Sequence, residues 1–371
     1  MNAEEQIYLL GLTLIKGVGD VLARQLIQSF GGPKAVFTEK RHLLEKVPGI
    51  GEYTAAKIRE SATTALERAE KELRFIEKNK ILVYSILDNQ YPVRLRECQD
   101  APVVFYYRGN ADLHASRILS IVGTRSSTEY GRALTDLLMK DLVEIFPDVL
   151  IVSGLAYGID ICAHRSALKY GLPTIGVLAH GLDRIYPALH RHTAAEMLKK
   201  GGLLTDFMSE TTPDRENFLR RNRLIAGLAD ATIVVESAEK GGALVTADIA
   251  FSYGRDVYTF PGRVSDKYSI GCNRLIQTNK AGLISSAHDL ITALCWDVKP
   301  NRKKPEQIRI PFEEKSSHPI ISLLAEKGEF QINDLTSKMD LPIHQISSML
   351  FELELAGHIK ALPGGVYRLN R

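Results

Sequence analysis

The most distinctive chemistry in the sequence lies in a basic segment that ends at residue 223. Four arginines fall within nine residues around one aromatic side chain, Phe218, and they are Arg215, Arg220, Arg221 and Arg223. Guanidinium groups bind phosphates, and an exposed ring stacks on an unpaired base. The segment therefore predicts a site for single-stranded nucleic acid. The alternative is that Phe218 is a core residue and that the arginines pair with Asp214 and Glu216 at the surface.

Helical spacing separates the arginines of this segment. Arg220 and Arg223 are three residues apart and share a helix face, whereas Arg221 points elsewhere. Asn222 lies between the last two arginines and belongs to the same candidate site. One face of the helix can thus present two positive charges.

Two other segments place glycine beside a cation where a predicted strand passes into a helix. One contains Gly123, Thr124, Arg125 and Ser126, and the other contains Lys240, Gly241 and Gly242. Backbone N–H groups at a helix N-terminus bind anions, and glycine lets a phosphate come close. Both segments therefore predict phosphate contacts. The alternative for the first is an ordinary turn with its arginine in solvent.

Three other loops give weaker signals of a binding site. Gly154 and Asn273 belong to glycine-containing loops, and Asp160, after Gly154, has a helix cap as its competing role. The third loop carries three histidines and an aspartate, which suggests a metal site: His180, Asp183, His190 and His192. His190 and His192 are two residues apart and point different ways on a helix. We expect instead that this loop shapes the edge of the sheet, with Tyr186 packed, and that no metal is bound.

Catalytic patterns are missing from the sequence. It contains no nucleophile elbow, no P-loop and no dinucleotide-binding glycine fingerprint. Glu210 and Glu236 are candidate general acids or bases, but neither has an evident partner. We therefore expect no catalytic residue and no cofactor.

Composition limits the possible classes of protein. The 371 residues are 45% hydrophobic and carry a net charge of +3, from 47 basic and 44 acidic side chains. No apolar run approaches the roughly 18 residues of a membrane-spanning helix, and the acidic N-terminus is unlike a secretory signal. Four cysteines without metal-site spacing indicate free thiols in a reducing, cytoplasmic setting. The near-balanced charge means that any basic site must be local.

The candidate loops belong to a predicted α/β domain at residues 76–297. Short β-branched runs alternate there with helical stretches, which is typical of a doubly wound, extended Rossmann-like sheet. Ligands of such sheets bind beyond the carboxyl ends of the strands. The basic and glycine-rich loops fall at those ends.

One smaller domain is predicted before the α/β domain in the chain, and another is predicted after it. Residues 1–75 are helical, with two Gly-X-Gly turns 32 residues apart, typical of a tandem helix-hairpin-helix (SAM-like) domain that either binds phosphate or only packs. Residues 298–316 form a proline-containing linker, and residues 317–371 form a winged helix. Its third helix, Ile343–Ala356, has two glutamates and no Lys or Arg. This composition favours contact with a protein over binding of duplex DNA.

The motifs together resemble the bacterial DNA-processing protein A (DprA, or Smf) family. In order they are SIVGTR, SGLAYGID, GLDRIYP, FLRRNRLIAGL, GGALVTA and GCNRLI. The resemblance implies sequence-independent binding of single-stranded DNA, a homodimer through the Rossmann-like domain, and loading of RecA recombinase on incoming DNA in natural transformation. It implies no enzymatic activity.

The resemblance also implies roles for particular residues. The DNA-contacting positions of the family fall on Arg125, Arg215 and Lys240, and its stacking aromatic falls on Phe218. Arg220 differs from the family motif, because many members have an uncharged or acidic residue at this position. The predicted DNA-binding set is Gly123, Thr124, Arg125, Ser126, Gly154, Arg215, Phe218, Arg220, Asn222, Arg223, Lys240, Gly241, Gly242 and Asn273.

An alternative function comes from a second likeness, to nucleotide-processing enzymes of the lysine-decarboxylase-like (LOG) group. Their signature, P-G-G-x-G-T-x-x-E, would fall on residues from Glu239 onward. The chain lacks its proline, its third glycine and its glutamate, which weighs against this enzyme. A scaffold regulated by a bound nucleotide is the other alternative.

Overall fold

A computed structural model describes residues 1–296 and 318–370 of the protein. The N-terminal helices and the sheet belong to one compact unit, and the C-terminal winged helix forms another. The predicted linker at 298–316 lies outside the described residues. Among the residues described, no helix is both long and apolar enough to span a bilayer.

The N-terminal segment folds into helix-hairpin-helix elements, as predicted. Its helices are α1 (Ala3–Thr13), α2 (Asp20–Phe30), α3 (Pro33–Thr38), α4 (Arg41–Leu44), α5 (Glu52–Glu60) and α6 (Ala62–Lys78). The two Gly-X-Gly turns directly precede α2 and α5. Gly17 and Gly49 have φ values of 91° and 84°, a backbone region that favours glycine and lets each turn reverse the chain.

A nine-stranded sheet forms the centre of the first unit. Its strands are β1 (Leu82–Ser85), β2 (Val104–Gly109), β3 (Ile118–Val122), β4 (Leu150–Gly154), β5 (Thr174–Val177), β6 (Gly201–Thr205), β7 (Ala231–Val234), β8 (Asp256–Thr259) and β9 (Gly282–Leu283). Their order is β1-β2-β6-β5-β4-β3-β7-β8-β9. Strands β3 to β9 run parallel, and β1 and β2 join antiparallel. The predicted doubly wound sheet is confirmed.

Helices cover both faces of this sheet. One face carries α8 (Glu129–Ile145), α9 (Ile159–Tyr170), α10 (Arg191–Lys200) and α14 (Ala287–Ala293), with a 3-10 turn at Ala188–His190. The other carries α7 (Val93–Arg96), α11 (Arg215–Leu228), α12 (Gly242–Ser252) and α13 (Ile270–Gln277). Strands covered on both faces read as continuous apolar runs, and every residue of β3 is buried.

Chain order reverses at one point of the sheet. Strands β3 to β6 are laid down in one direction, and the chain then returns through α11 to place β7 on the other side of β3. The carboxyl ends of β3 and β7 therefore flank the switch point, where ligands of such sheets bind.

A buried ion cluster joins the hairpin helices to the sheet. Arg223, on α11, donates hydrogen bonds to the carboxylates of Asp20 (2.9 Å) and Asp206 (2.5 Å) and to the backbone carbonyl of Asp100. Burial disfavours its charge, but the two carboxylates outweigh burial and raise the pKa of Arg223. Asp20 is the first residue of α2, so this helix begins against the sheet rather than in solvent.

The winged helix folds around its own core. It comprises α15 (Pro319–Lys327), β10 (Glu329–Gln331), α16 (Ile332–Met339), α17 (Ile343–Leu355), β11 (Ile359–Leu362) and β12 (Val366–Leu369). The predicted architecture is confirmed, with β10 as a third strand beside β12. The third helix, α17, buries Ile346 and Leu350 and exposes Phe351 and Leu355.

The ion cluster predicts a large effect of removing its cation. Arg223→Met leaves Asp20 and Asp206 with only the longer contacts of the half-exposed Arg220, so we expect the free energy of unfolding to fall by about 3–5 kcal/mol. Lys71→Ala is the matched control, because Lys71 joins the same two parts of the chain through an exposed pair with Glu210. Its loss should cost about 1 kcal/mol or less. Urea unfolding measures both, and equal losses would contradict the buried cluster.

Candidate nucleic-acid interface

Three loops are tied together at the switch point. The backbone N–H of Thr124, after β3, donates to the carbonyl of Glu236, after β7, at 2.8 Å. The N–H of Ile159, after β4, donates to the carbonyl of Thr124 at 3.1 Å. The loop that carries Arg125 is thus held from both sides before any ligand arrives.

Glycines allow this close approach. A Cβ on Gly123 would lie 2.4 Å from the Ile159 side chain, and one on Gly158 would lie 2.1 Å from the Thr124 carbonyl. Gly158 also has a φ of 79°. Gly123 therefore allows the loops to pack closely, and Gly158, which is not in the predicted DNA-binding set, has the same role. Its only sequence signal was its position in the SGLAYGID motif.

The structure brings the predicted cation and the predicted aromatic together. The guanidinium carbon of Arg125 lies 5.0 Å from the centre of the Phe218 ring, within cation–π range. Arg125 is exposed and Phe218 is half-buried, at the start of α11. Phe218 is therefore not a core residue, and the arginines of its segment do not pair with Asp214 or Glu216. Asp214 instead caps α11 by accepting from the Asn217 N–H at 2.8 Å.

A second guanidinium supports the ring from the protein interior. Arg221 is 4% exposed, lies 5.7 Å from the Phe218 ring centre and donates to the carbonyl of Val177. Burial lowers the pKa of Arg221 to about 10, and the nearby Asp160 carboxylate opposes that shift. Burial likewise raises the pKa of Asp160 to about 6, opposed by Arg221. Asp160, at the start of α9, and Arg221, on α11, thus place opposite charges in the interior beside the half-buried ring.

The remaining predicted residues divide into exposed and internal positions. Arg215, Ser126, Lys240, Gly241 and Gly242 are exposed, and the Gly242 position has open space around it. Arg220 is half-exposed and lies 3.5 Å from Asp20 and 3.7 Å from Asp206. Internal positions have internal partners: Asn222 donates to the Gly242 carbonyl, Asn273 bonds the backbone of Gly262 twice, and Gly154 packs against Asp160 and Arg221.

Arg223 lies among internal partners rather than at the surface. It shares a helix face with Arg220, as its spacing predicted, but that face meets Asp20 and Asp206 rather than solvent. At 7% exposure, and with both terminal guanidinium nitrogens bonded to Asp100, Asp20 and Asp206, Arg223 has no free surface to offer a phosphate.

The two candidate acid–base residues are engaged in structural contacts. Glu236 is 3% exposed and accepts hydrogen bonds from the backbone N–H of Thr128, at 2.9 Å, and from the Thr128 hydroxyl. Thr128 is the N-cap of α8, so this glutamate helps hold the loop after β3. Glu210 pairs with Lys71 at 2.8 Å on the surface, and this contact lowers the pKa of Glu210.

The histidine loop forms internal hydrogen bonds. His180 bonds the carbonyl of Gly181 and the N–H of Tyr186, and His190 bonds the carbonyl of Leu155. No cluster of three metal-ligating side chains occurs within residues 1–296 and 318–370. Tyr186 packs only in part, because its side chain is 47% exposed.

Family comparisons match all three parts of the chain. Residues 80–295 match the family described as DNA recombination-mediator protein A. The chain belongs to this DprA family. Residues 311–365 match the DprA winged helix domain, and residues 9–64 match the SAM-like helix-hairpin-helix tandem.

Individual relatives agree with that membership. Protein Smf of Escherichia coli is 36% identical over 76% of this chain and 75% of its own length. DNA processing protein DprA of Bacillus subtilis is 40% identical over 56% of this chain and 70% of its own length. The crystal structure of Streptococcus pneumoniae DprA aligns with a TM-score of 0.65 and 30% identity, over 78% of this chain and 98% of that one.

A further solved structure is described for its DNA binding. It is Helicobacter pylori DNA processing protein A, described for its single-stranded DNA binding mode. It aligns with a TM-score of 0.52 and 28% identity over 58% of this chain and 96% of its own.

The buried carboxyl of Asp160 predicts a pH dependence of stability. Its folded-state pKa, about 6, lies above the ordinary 3.8, so its contribution is fully present below pH 4 and is lost as pH rises through 6. Asp160→Asn does not titrate. The unfolding free energy of the parent minus that of the variant should therefore fall by about 1.4 kcal/mol per pH unit between pH 4 and 6. Urea unfolding at several pH values measures this difference, and a flat difference would refute the burial of the carboxyl.

Proposed function

We propose that the protein binds single-stranded DNA, without sequence preference, at the carboxyl edge of its sheet. The observation that carries this proposal is the exposed guanidinium of Arg125 against the half-exposed ring of Phe218 at the switch point. A cation next to an aromatic face suits a phosphate and the base attached to it. The H. pylori relative, described with its single-stranded DNA binding mode, supports the same ligand class here.

Exposed and internal residues have different parts in this proposal. Arg125, Ser126, Arg215, Lys240 and the backbone N–H groups of the Gly241–Gly242 turn contact phosphates, and Phe218 stacks on a base. Thr124, Gly123, Gly154, Asn222 and Asn273 hold the loops in shape, because their neighbours are protein atoms. Arg220 adds positive charge at the end of the site. Arg223 acts only by positioning α11.

We further propose that the bound strand is passed to RecA recombinase during natural transformation, with the protein acting as a cytoplasmic homodimer through its Rossmann-like domain. The family description as a recombination mediator supports this role. A mediator needs no catalysis, and both candidate acid–base residues, Glu210 and Glu236, already have structural partners. The winged helix serves as a protein contact, since α17 exposes Phe351 and Leu355 and has no Lys or Arg.

Removing the central cation should weaken binding in a salt-dependent way. Arg125→Ala should bind a labelled oligo-dT about tenfold more weakly at moderate salt. The slope of log affinity against log salt should also fall by about 0.7, because one phosphate contact is lost. Arg74→Ala removes the same charge from the exposed surface of α6, outside these loops, and should leave both values unchanged. Fluorescence anisotropy measures both, and parental binding by Arg125→Ala would place the site elsewhere.

Removing the ring tests the second half of the contact. Phe218→Ala should weaken oligo-dT binding by about 1–3 kcal/mol, the usual value of one base–aromatic stack. Phe218→Tyr keeps the ring and should bind like the parent. Thermal unfolding of both variants distinguishes stacking from packing. A Phe218→Ala protein that melts far below the parent would show that the ring is needed for folding instead.

A further inference from the structure

The loop between β5 and the 3-10 turn carries an aromatic ring that has no role in the DNA contacts proposed above. Tyr186 lies in this loop, and its side chain is 47% exposed although its backbone N–H is fixed by His180 at 3.2 Å. Its ring centre lies 6.1 Å from that of Phe218. An exposed ring on a fixed backbone, next to a proposed stacking residue, is a feature that packing alone does not explain.

The geometry of this pair leaves the Tyr186 ring face open. The two ring planes are inclined at 58°, so neither ring covers the other. Where two rings of this protein do cover each other, as Tyr84 and Phe105 do, the centres are 4.9 Å apart and the planes differ by 5°. Tyr186 therefore presents a face of its own, beside that of Phe218.

The charges near Tyr186 indicate which part of a nucleotide it would meet. The neighbouring Arg184 is already paired with Asp183 at 2.8 Å. Beside Arg184, the edge of the sheet therefore presents the Tyr186 ring rather than an unpaired cation. The free cations, Arg125 and Lys240, follow β3 and β7, whereas the loop of Tyr186 follows β5, two strands away from β3.

We infer that Tyr186 is a second base-stacking residue, so that a DNA strand runs from the phosphate-binding loops after β3 and β7 toward β5 and places neighbouring bases on Phe218 and Tyr186. This inference rests on the proposed binding of single-stranded DNA. Successive bases stacked on successive aromatic rings form a sequence-tolerant platform, since every base has a flat face. The rings come from loops after different strands, and the sheet sets the distance between them.

The test compares two oligonucleotides of equal length and equal charge, oligo-dT and a fully abasic strand. Tyr186→Ala should bind oligo-dT about tenfold more weakly than the parent, which is the usual size of one lost stack. It should bind the abasic strand as the parent does, because the phosphate contacts are intact. Tyr186→Phe should match the parent on both strands, since the Tyr186 hydroxyl has no hydrogen bond among the described residues.

The matched control is Phe251→Ala, which removes a ring of similar exposure, 55%, from the end of α12 at the opposite edge of the sheet. It should leave both affinities unchanged. Parental affinity of Tyr186→Ala for oligo-dT would overturn the inference and leave the proposed function standing. Equal weakening on both strands would also overturn it, because Tyr186 would then only shape the loop. If the parent itself fails to bind oligo-dT, the proposed function fails, and the inference with it.

Discussion

The shared salt bridge of Arg223 with Asp20 and Asp206 sets the position of helix α11, and the rest of the candidate site depends on that position. The cluster is buried, so its charges are stable only as a group. On the same helix, Arg221 reaches the interior behind the loop after β4, and Phe218 reaches the surface beside Arg125. One helix thus connects the hairpin domain, the sheet and the exposed edge.

Charge is distributed unevenly between the interior of the protein and the exposed edge of the sheet. The basic segment at residues 215–223 contains both buried and exposed arginines. Arg221 and Arg223 are neutralised by buried carboxylates, and Arg215 remains in solvent. A net charge of +3 is nevertheless compatible with a local polyanion site, because it is an average over the chain, and Arg125, Arg215 and Lys240 are exposed in loops of the same domain.

Periodicity predicted the fold well. The alternation of buried β-branched runs with helices indicated the doubly wound sheet, and the Gly-X-Gly turns indicated the hairpins. That Arg125, Phe218 and Lys240 follow strands of one sheet was also predictable, because carboxyl ends of parallel strands share an edge. The contact between Arg125 and Phe218 was not, since it depends on where α11 lies. Arg223 could not be distinguished from Arg220 either, because its partner Asp20 is about 200 residues away in the chain. Tyr186 was expected to pack, and only its position beside Phe218 shows that its face stays open.

The contact of Asp20 with Arg223 has a consequence for the modularity of the chain. The hairpin domain contributes a charge to the interior of its neighbour, so it is not an independent unit that happens to be attached. A protein shortened to begin at the sheet would keep Arg223 but lose one of its two carboxylate partners. An altered DNA affinity in such a truncated protein would then report a displaced α11, and it would be no evidence that the hairpins themselves touch DNA.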